Sequence, residues 1–178
     1  MIICLDPGHG GRDPGAVGPS KTREADIVLK VAMRVGSLLS KKHEVFMTRC
    51  DDSTVSLRER TDIAKAAQAH VYVSIHCNGV INQNANGTET LHYPGSENGK
   101  KLARAIHDRF IASTGLRDRG IKERNLYVFR HTPKTMPAVM VELAFITNPE
   151  EERILLSEEF QKKAAEAIAD GVLRYLGQ

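Results

Sequence analysis

Short, almost wholly apolar runs alternate with amphipathic stretches along this chain, and that alternation limits its fold more than any other feature. Val71–Ile75 is rich in β-branched residues, which is typical of a strand covered on both faces. Ala138–Val141 has the same character, and Met1–Leu5 is a further apolar run that stops at Asp6-Pro7-Gly8. Strands of this kind, separated by helices, predict an α/β domain with a largely parallel sheet.

The segments between these runs have helical spacing. From Thr22 to Lys42 apolar residues recur every three to four positions, which predicts a helix with one buried face. The same spacing predicts helices over Leu57–Ala69, over Asn98–Ser113 and from about Ser157 to the end of the chain. Further strands are expected at Glu44–Thr48, Thr88–Tyr93 and near Leu126–Phe129. With 178 residues and no repeat or linker, residues 1–178 are expected to form a single domain.

Composition excludes several classes of function. The formal net charge is +3, but basic and acidic residues are mixed along the chain, so an ordinary solvated surface is expected rather than a nucleic-acid site. Aromatic residues make up 5% and tryptophan is absent, which excludes a sugar groove lined with stacked tryptophans. No apolar stretch approaches the ~20 residues that a membrane-spanning helix needs. We expect a monomer without a membrane span.

Three of the predicted strands lead to residues that can bind a metal ion. His9 follows the first apolar run after a glycine-containing turn, His76 follows the second directly, and Glu142 follows the third. In open parallel sheets ligands bind outside the carboxyl ends of the strands, so these side chains converge if their strands are neighbours. Two imidazoles and a carboxylate suit a catalytic zinc ion, which commonly keeps its fourth position for water.

A second carboxylate is needed near such a site to move protons. Glu24 lies in the first turn of the first predicted helix, where the loop that carries His9 ends. An acidic residue there also stabilises a helix N-terminus without any other role. Glu142 would be a costly buried charge without a partner and therefore carries the stronger functional signal. Spacing alone leaves open which glutamate binds the metal and which is the base.

Three sequence blocks contain these candidates. Asp6–Ala16 reads DPGHGGRDPGA, Ser74–Asn78 reads SIHCN, and Pro137–Asn148 reads PAVMVELAFITN. Together with Glu24, these blocks resemble those of the zinc-dependent N-acetylmuramoyl-L-alanine amidases. The branch that they resemble includes both bacterial autolysins and phage endolysins. The resemblance covers the whole chain in the right order and includes Thr48–Arg60, Gly87–Gly95 and Arg119–Arg130.

The resemblance implies a fold, a site and a reaction. The fold is a three-layer α/β sandwich, with helices on both faces of a mainly parallel sheet of about six strands. His9, Glu24 and His76 match the family's ligands for one Zn²⁺, and Glu142 matches its catalytic glutamate. The substrate is bacterial peptidoglycan, cleaved between the lactyl group of N-acetylmuramic acid and L-alanine. An extracellular or cell-wall location follows, although the N-terminus shows no signal-peptide pattern and leaves the export route open.

The departures from the family pattern lie outside the ligand set. Cys77 replaces a smaller residue after the second histidine, Ala144 stands where glycine is common, and Lys65 stands where asparagine is typical. Because adjacent strand residues point to opposite faces, the Cys77 thiol is expected to point away from His76 and from the metal.

Two other functions use the same residues. A zinc peptidase that cuts within the stem peptide would need the same ligands, although no HExxH helix is present. A non-catalytic wall-binding module would keep zinc for structure, but structural zinc sites usually have four protein ligands.

Four charged residues near the blocks have open roles. Asp6 and Asp13 can orient a ligand imidazole or simply shape the loop. Arg119 and Lys122 can contact the acidic stem peptide or wall polymers, or they can be ordinary solvated surface charges.

Overall fold

Six strands and six helices follow one another in the computed structural model, which describes residues 1–178. The strands are β1 (Ile2–Pro7), β2 (Glu44–Met47), β3 (Val71–Asn78), β4 (Thr88–His92), β5 (Asp118–Glu123) and β6 (Ala138–Phe145). The helices are α1 (Glu24–Leu39), α2 (Leu57–Ala66), α3 (Glu97–Thr114), α4 (Tyr127–His131), α5 (Pro149–Leu156) and α6 (Glu158–Tyr175). None of the helices combines the length and the apolar character required to cross a bilayer.

The strands form one mixed sheet in the order β2-β1-β3-β6-β4-β5. All neighbouring pairs are parallel except β4 and β6, which are antiparallel. The three most apolar strands, β1, β3 and β6, lie next to one another, because they must be covered on both faces. The mainly parallel, six-stranded sheet expected from the sequence is therefore confirmed.

Helices cover both faces of the sheet. On one face α1, α3 and α6 bury a cluster of 29 residues, to which alternate residues of the central strands contribute. On the other face a smaller cluster of 10 residues includes Ala64 of α2 and Phe129 of α4. Cys77 belongs to the larger cluster and His76 faces the other side, as expected from strand alternation. The structure is the predicted three-layer α/β sandwich.

One predicted strand is wrong. Leu126–Phe129 is not a strand, because Tyr127–His131 forms the short helix α4, in which Val128 and Phe129 pack into the smaller cluster. A short apolar run does not distinguish a strand from a buried helical turn. The strand in this region is β5, whose sequence DRGIKE is polar because it lies at the edge of the sheet. Helix α5, capped by the Asn148 side chain, was not expected from the sequence.

A buried ion pair joins β1 to α2. The Asp6 carboxylate is almost fully buried and accepts hydrogen bonds from Arg60 Nη1 at 2.7 Å, Thr48 Oγ1 at 2.6 Å and Ser74 Oγ at 2.7 Å. Burial alone would raise the pKa of Asp6, but the Arg60 guanidinium and these hydroxyl groups lower it below its usual value. Asp6 therefore stabilises the fold as an ion, and it takes no part in orienting an imidazole.

Replacing Asp6 with asparagine should lower the free energy of unfolding by about 3 kcal/mol at pH 7, because the buried guanidinium of Arg60 loses its counter-ion. Because the pKa of Asp6 is lower in the folded than in the unfolded protein, its carboxylate stabilises the fold when the pH is above the unfolded-state pKa of about 3.9. This stabilisation is lost as the pH falls through the folded-state pKa. The difference between the wild type and D6N should therefore shrink below about pH 4 in urea titrations. Asp62→Asn, at an exposed position of the adjoining helix, is the control and should change little. A constant difference down to pH 2 would contradict this account.

Candidate metal centre

Three side chains predicted as ligands lie together at the carboxyl ends of β1 and β3. Glu24 Oε1 is 3.2 Å from His9 Nε2 and 3.0 Å from His76 Nδ1. The two imidazole rings meet edge to face with centroids 4.8 Å apart. One potential ligand atom from each residue lies within 4.8 Å of the other two, so the group could hold a metal ion.

The loop between β1 and α1 delivers His9 and Glu24 to this point. His9 adopts a left-handed backbone conformation with φ 59°, which is uncommon for a residue with a side chain. Gly15, at φ 69°, lets the backbone pass so close that an added Cβ would lie 2.6 Å from Glu24 Oε2. Glu24 is the first residue of α1, and its Oε2 also accepts the backbone N–H of Ala16 at 2.9 Å. Helix start and loop are thus tied to the same carboxylate.

Two buried arginines hold the backbone just before His9. Arg60 donates to the carbonyl oxygens of Pro7 at 2.7 Å and His9 at 2.6 Å. Arg49 donates to Pro7 O at 3.0 Å and Gly8 O at 2.7 Å. Buried carbonyl groups need hydrogen-bond partners, and here each of three consecutive ones receives a charged donor. The unusual conformation of His9 is fixed by these contacts.

Asp13 orients the first histidine. Its Oδ2 lies 2.7 Å from His9 Nδ1, on the opposite side of the ring from Nε2, which faces Glu24. A carboxylate on the outer nitrogen of an imidazole fixes the ring and makes the inner nitrogen a better ligand. Asp13 has both of the roles that the sequence left open, because its Oδ1 also accepts the backbone N–H of Gly15 at 3.0 Å and so shapes the loop.

The site concentrates charge in a buried place. Burial opposes protonation of His9 and His76, yet hydrogen bonds to the Glu24 carboxylate raise the pKa of both, that of His9 to about 9. Burial would raise the pKa of Glu24, but the two imidazoles hold it well below its usual range. Glu24 is therefore ionised, and its negative charge favours the protonated form of both histidines. The same negative charge would stabilise a bound cation.

Glu142 lies directly beside this group. It is paired with His76 in the register of β6 and β3, so both side chains extend from the same face of the sheet. The residue is 9% exposed, and its Oε2 is buried without any hydrogen-bond partner. Burial, supported by the charges of Glu24 and Glu89 and opposed by His76, raises the pKa of Glu142 to about 7. An unpartnered buried carboxylate of this kind is rare in structures and is typical of functional sites.

A cleft of about 390 Å³ opens above the histidines. Its walls are Thr54–Leu57, which leads into α2, and Leu126–Val128 at the start of α4. The lining is mainly apolar, while His9 and His76 contribute polar atoms. A cleft of this size can admit a small part of a larger substrate to the two histidines.

Three residues that support or adjoin the site were not identified as candidates from the sequence. Arg49 and Arg60 act through loop carbonyls far from them in the chain, and no sequence pattern reports such contacts. Glu89 is buried on β4, directly across from Glu142 in the antiparallel register. An acidic residue within a strand that is otherwise buried was the available signal.

Comparison with known proteins agrees with this geometry. The sequence pattern of the N-acetylmuramoyl-L-alanine amidase family matches residues 3–174. The chain belongs to this family.

Individual amidases and relatives support the assignment. N-acetylmuramoyl-L-alanine amidase LytC of Bacillus subtilis (strain 168) is 38% identical over 97% of this chain, which spans only 35% of LytC. The uncharacterized protein YqiI of the same organism is 42% identical over 99% of this chain and 85% of its own length. The catalytic domain of the amidase CwlV from Bacillus (Paenibacillus) polymyxa var. colistinus superposes with a TM-score of 0.94 at 41% identity, covering 99% of this chain and 98% of that one. The amidase fold is therefore shared along the whole chain.

The departures from the family pattern leave the site intact. Ala144 is fully buried in the larger cluster, next to a register shift between β3 and β6. Lys65 is exposed on α2, where it pairs with Asp62. The Cys77 thiol points away, and only its backbone N–H touches the site, donating to Glu24 Oε1 at 2.8 Å.

Substituting alanine for Gly8 should weaken divalent-metal binding by about tenfold or more, the range seen when a ligand's supporting contacts are lost. A Cβ at this position would lie 2.2 Å from His76 Cε1, so the imidazole must move. Calorimetry with zinc chloride measures the affinity. Gly36→Ala in α1, where no atom lies closer than 3.6 Å to the added carbon, is the matched control and should bind as the wild type does. Unchanged affinity in G8A would show that His76 is not a ligand.

Proposed function

We propose that this chain hydrolyses the amide bond between the lactyl group of N-acetylmuramic acid and L-alanine in bacterial peptidoglycan. One Zn²⁺, held by His9, Glu24 and His76, is its cofactor, and Glu142 is its catalytic residue. The observation that carries the proposal is the buried Oε2 of Glu142, which lacks a partner and lies beside a His-Glu-His group in a member of the amidase family.

The donor set fits zinc. Two imidazole nitrogens and one carboxylate oxygen form a common ligand set for catalytic zinc, and three protein ligands leave a position open. A zinc ion at such a site supplies Lewis acidity toward the scissile carbonyl and lowers the pKa of water. His9 is held for this purpose by Asp13, and the loop before it is held by Arg49 and Arg60. Rigid support of this kind keeps ligands in place when no metal is bound.

Glu142 moves the proton that the reaction requires. Its carboxylate accepts a proton from the attacking water as the new C–O bond forms at the lactyl carbonyl. It then gives that proton to the alanine nitrogen as the C–N bond breaks, so the products are a lactyl carboxylic acid and a free amine. A pKa near 7 suits a group that must both accept and donate at neutral pH.

The proposed place of action is the cell wall, where the polymeric substrate is found. We propose that the protein works there as a monomer. The relatives named as amidases support a wall substrate, and the absence of an acidic or basic tract gives no reason to expect nucleic-acid partners.

Digestion of purified peptidoglycan, followed by mass spectrometry of the soluble fragments, tests the reaction. Stem peptides that begin with a free L-alanine amine should appear, disappear with a chelator and return when zinc is added back. Fragments cut inside the peptide would instead identify a zinc peptidase. No release by a folded, zinc-loaded protein would favour a non-catalytic wall-binding module.

Replacing Glu142 with glutamine should lower turnover by about 10³-fold, within the range expected for loss of a general acid and base. Zinc affinity, measured by calorimetry, should stay within about threefold of the wild type, because Glu142 lies outside the group of three ligands. Glu166→Gln, at an exposed position of α6, is the matched control and should leave turnover unchanged. Substantial activity in E142Q would show that another residue moves the proton.

A further inference from the structure

A buried carboxylate next to Glu142 gathers two cations. Glu89 Oε2 accepts hydrogen bonds from Arg119 Nε at 2.9 Å and from Lys122 Nζ at 2.5 Å. The side chain of Glu89 is 9% exposed, whereas those of Arg119 and Lys122 are 29% and 30% exposed. One negative charge is thus covered by two positive charges that remain open to solvent, and the group carries a net charge of about +1.

This group continues the row of polar residues across the sheet. Glu89 on β4 is directly opposite Glu142 on β6, and the two cations come from β5, the next strand. Glu142 is in turn paired with His76 on β3. The order across this end of the sheet is therefore imidazole, catalytic carboxylate, acidic anchor and cations. The two cations lie on the far side of Glu142 from the candidate metal ligands.

Both cations are held in place and still have donors to offer. The Arg119 guanidinium also donates to Asn86 O at 3.3 Å and lies 4.8 Å above the ring of Phe145. A guanidinium has five N–H donors and an ammonium has three, so these contacts leave several without a protein acceptor. A fixed pair of cations with unused donors is suited to binding a carboxylate.

We propose that Arg119 and Lys122 form a subsite for a carboxylate on the residue that follows L-alanine in the released peptide. The inference rests on the proposed function, because it requires the scissile nitrogen to lie at Glu142. The acyl side of the bond then faces the histidines, and the peptide side extends toward β4 and β5. The ligand is an acidic stem peptide, and the subsite distinguishes a free carboxylate from its amide.

Distances along the sheet and along a peptide agree with this assignment. Neighbouring strands are about 4.8 Å apart, so side chains that reach from β5 back to β4 place their charges about 5–10 Å from the strand of Glu142. An extended peptide advances about 3.3 Å per residue, which places a carboxylate on the second residue about 7 Å from the scissile nitrogen. The two lengths are similar, so an extended peptide that starts at Glu142 is long enough for its second residue to reach the two cations.

The test compares two soluble N-acetylmuramoyl-L-alanyl peptides that differ only in the second residue, isoglutamate in one and isoglutamine in the other. The wild-type enzyme loaded with zinc should prefer the acid by about tenfold in kcat/KM, equivalent to about 1.4 kcal/mol. In Lys122→Met and Arg119→Gln the ratio should fall, and in the double variant it should approach 1. The kcat/KM for the isoglutamine substrate should change much less than the ratio. Arg124→Gln, an exposed arginine close by, is the matched control and should keep the wild-type preference.

Three outcomes overturn the inference. A wild-type ratio of the two kcat/KM values near 1 shows that the cations do not distinguish the carboxylate from its amide. Variants that lose activity equally on both substrates show that the cations only support Glu89 and Glu142. If the wild type cleaves neither soluble substrate, the peptidoglycan digest decides whether the proposed function fails, and the subsite is tested by calorimetric binding of L-alanyl-isoglutamate and L-alanyl-isoglutamine. In that case equal affinities overturn it, and tighter binding of the acid that is lost in the double variant supports it.

Discussion

The site depends on the charged hydrogen bonds that Arg49 and Arg60 make to the backbone between β1 and His9. A parallel strand that ends in a sharp turn leaves carbonyl groups buried without partners, and these guanidinium groups satisfy three in succession. Asp6 balances one of the two buried charges. With the turn fixed, the His9 side chain reaches Glu24, and Glu24 in turn ties the first turn of α1 to β3 through the N–H of Cys77. Fold stability and ligand geometry thus share one network.

The sheet provides the frame for the remaining groups. His76, Glu142 and Glu89 are successive partners across β3, β6 and β4, so their spacing is set by strand pairing and not by loops. Burial acts to raise the pKa of both Glu142 and Glu89. It raises that of Glu142 to about 7, whereas the two cations beside Glu89 outweigh burial and lower its pKa below the usual value. Similar side chains on adjacent strands therefore have different chemistry because their partners differ.

The central strands could be predicted from sequence because each is an apolar run that ends at a polar residue, and this also placed His9, His76 and Glu142 at one edge. Periodicity failed where the signal was short or polar, so α4 was expected as a strand and the edge strand β5 was not recognised. The expectation that Glu24 is a metal ligand came from family resemblance, since the path of a loop with several left-handed residues decides where the helix begins. The ion group at Glu89 joins residues about thirty positions apart, and spacing gives no hint of it.

The reversed direction of β4 brings the chain past the site a second time. Because β3 ends at this edge and β4 starts there, the connection over residues 79–87 lies beside Glu142, with the fully exposed Ile81 in it. Both ends of the connection are anchored, Val80 N to Thr147 Oγ1 and Gly87 N to Glu151 Oε1. Lengthening an anchored surface loop costs only about 0.6 kcal/mol of closure entropy per doubling. Segments inserted in this connection can therefore change access to the site while the sheet stays unchanged. The connection is thus a suitable position for insertions that alter how the enzyme binds a polymeric substrate.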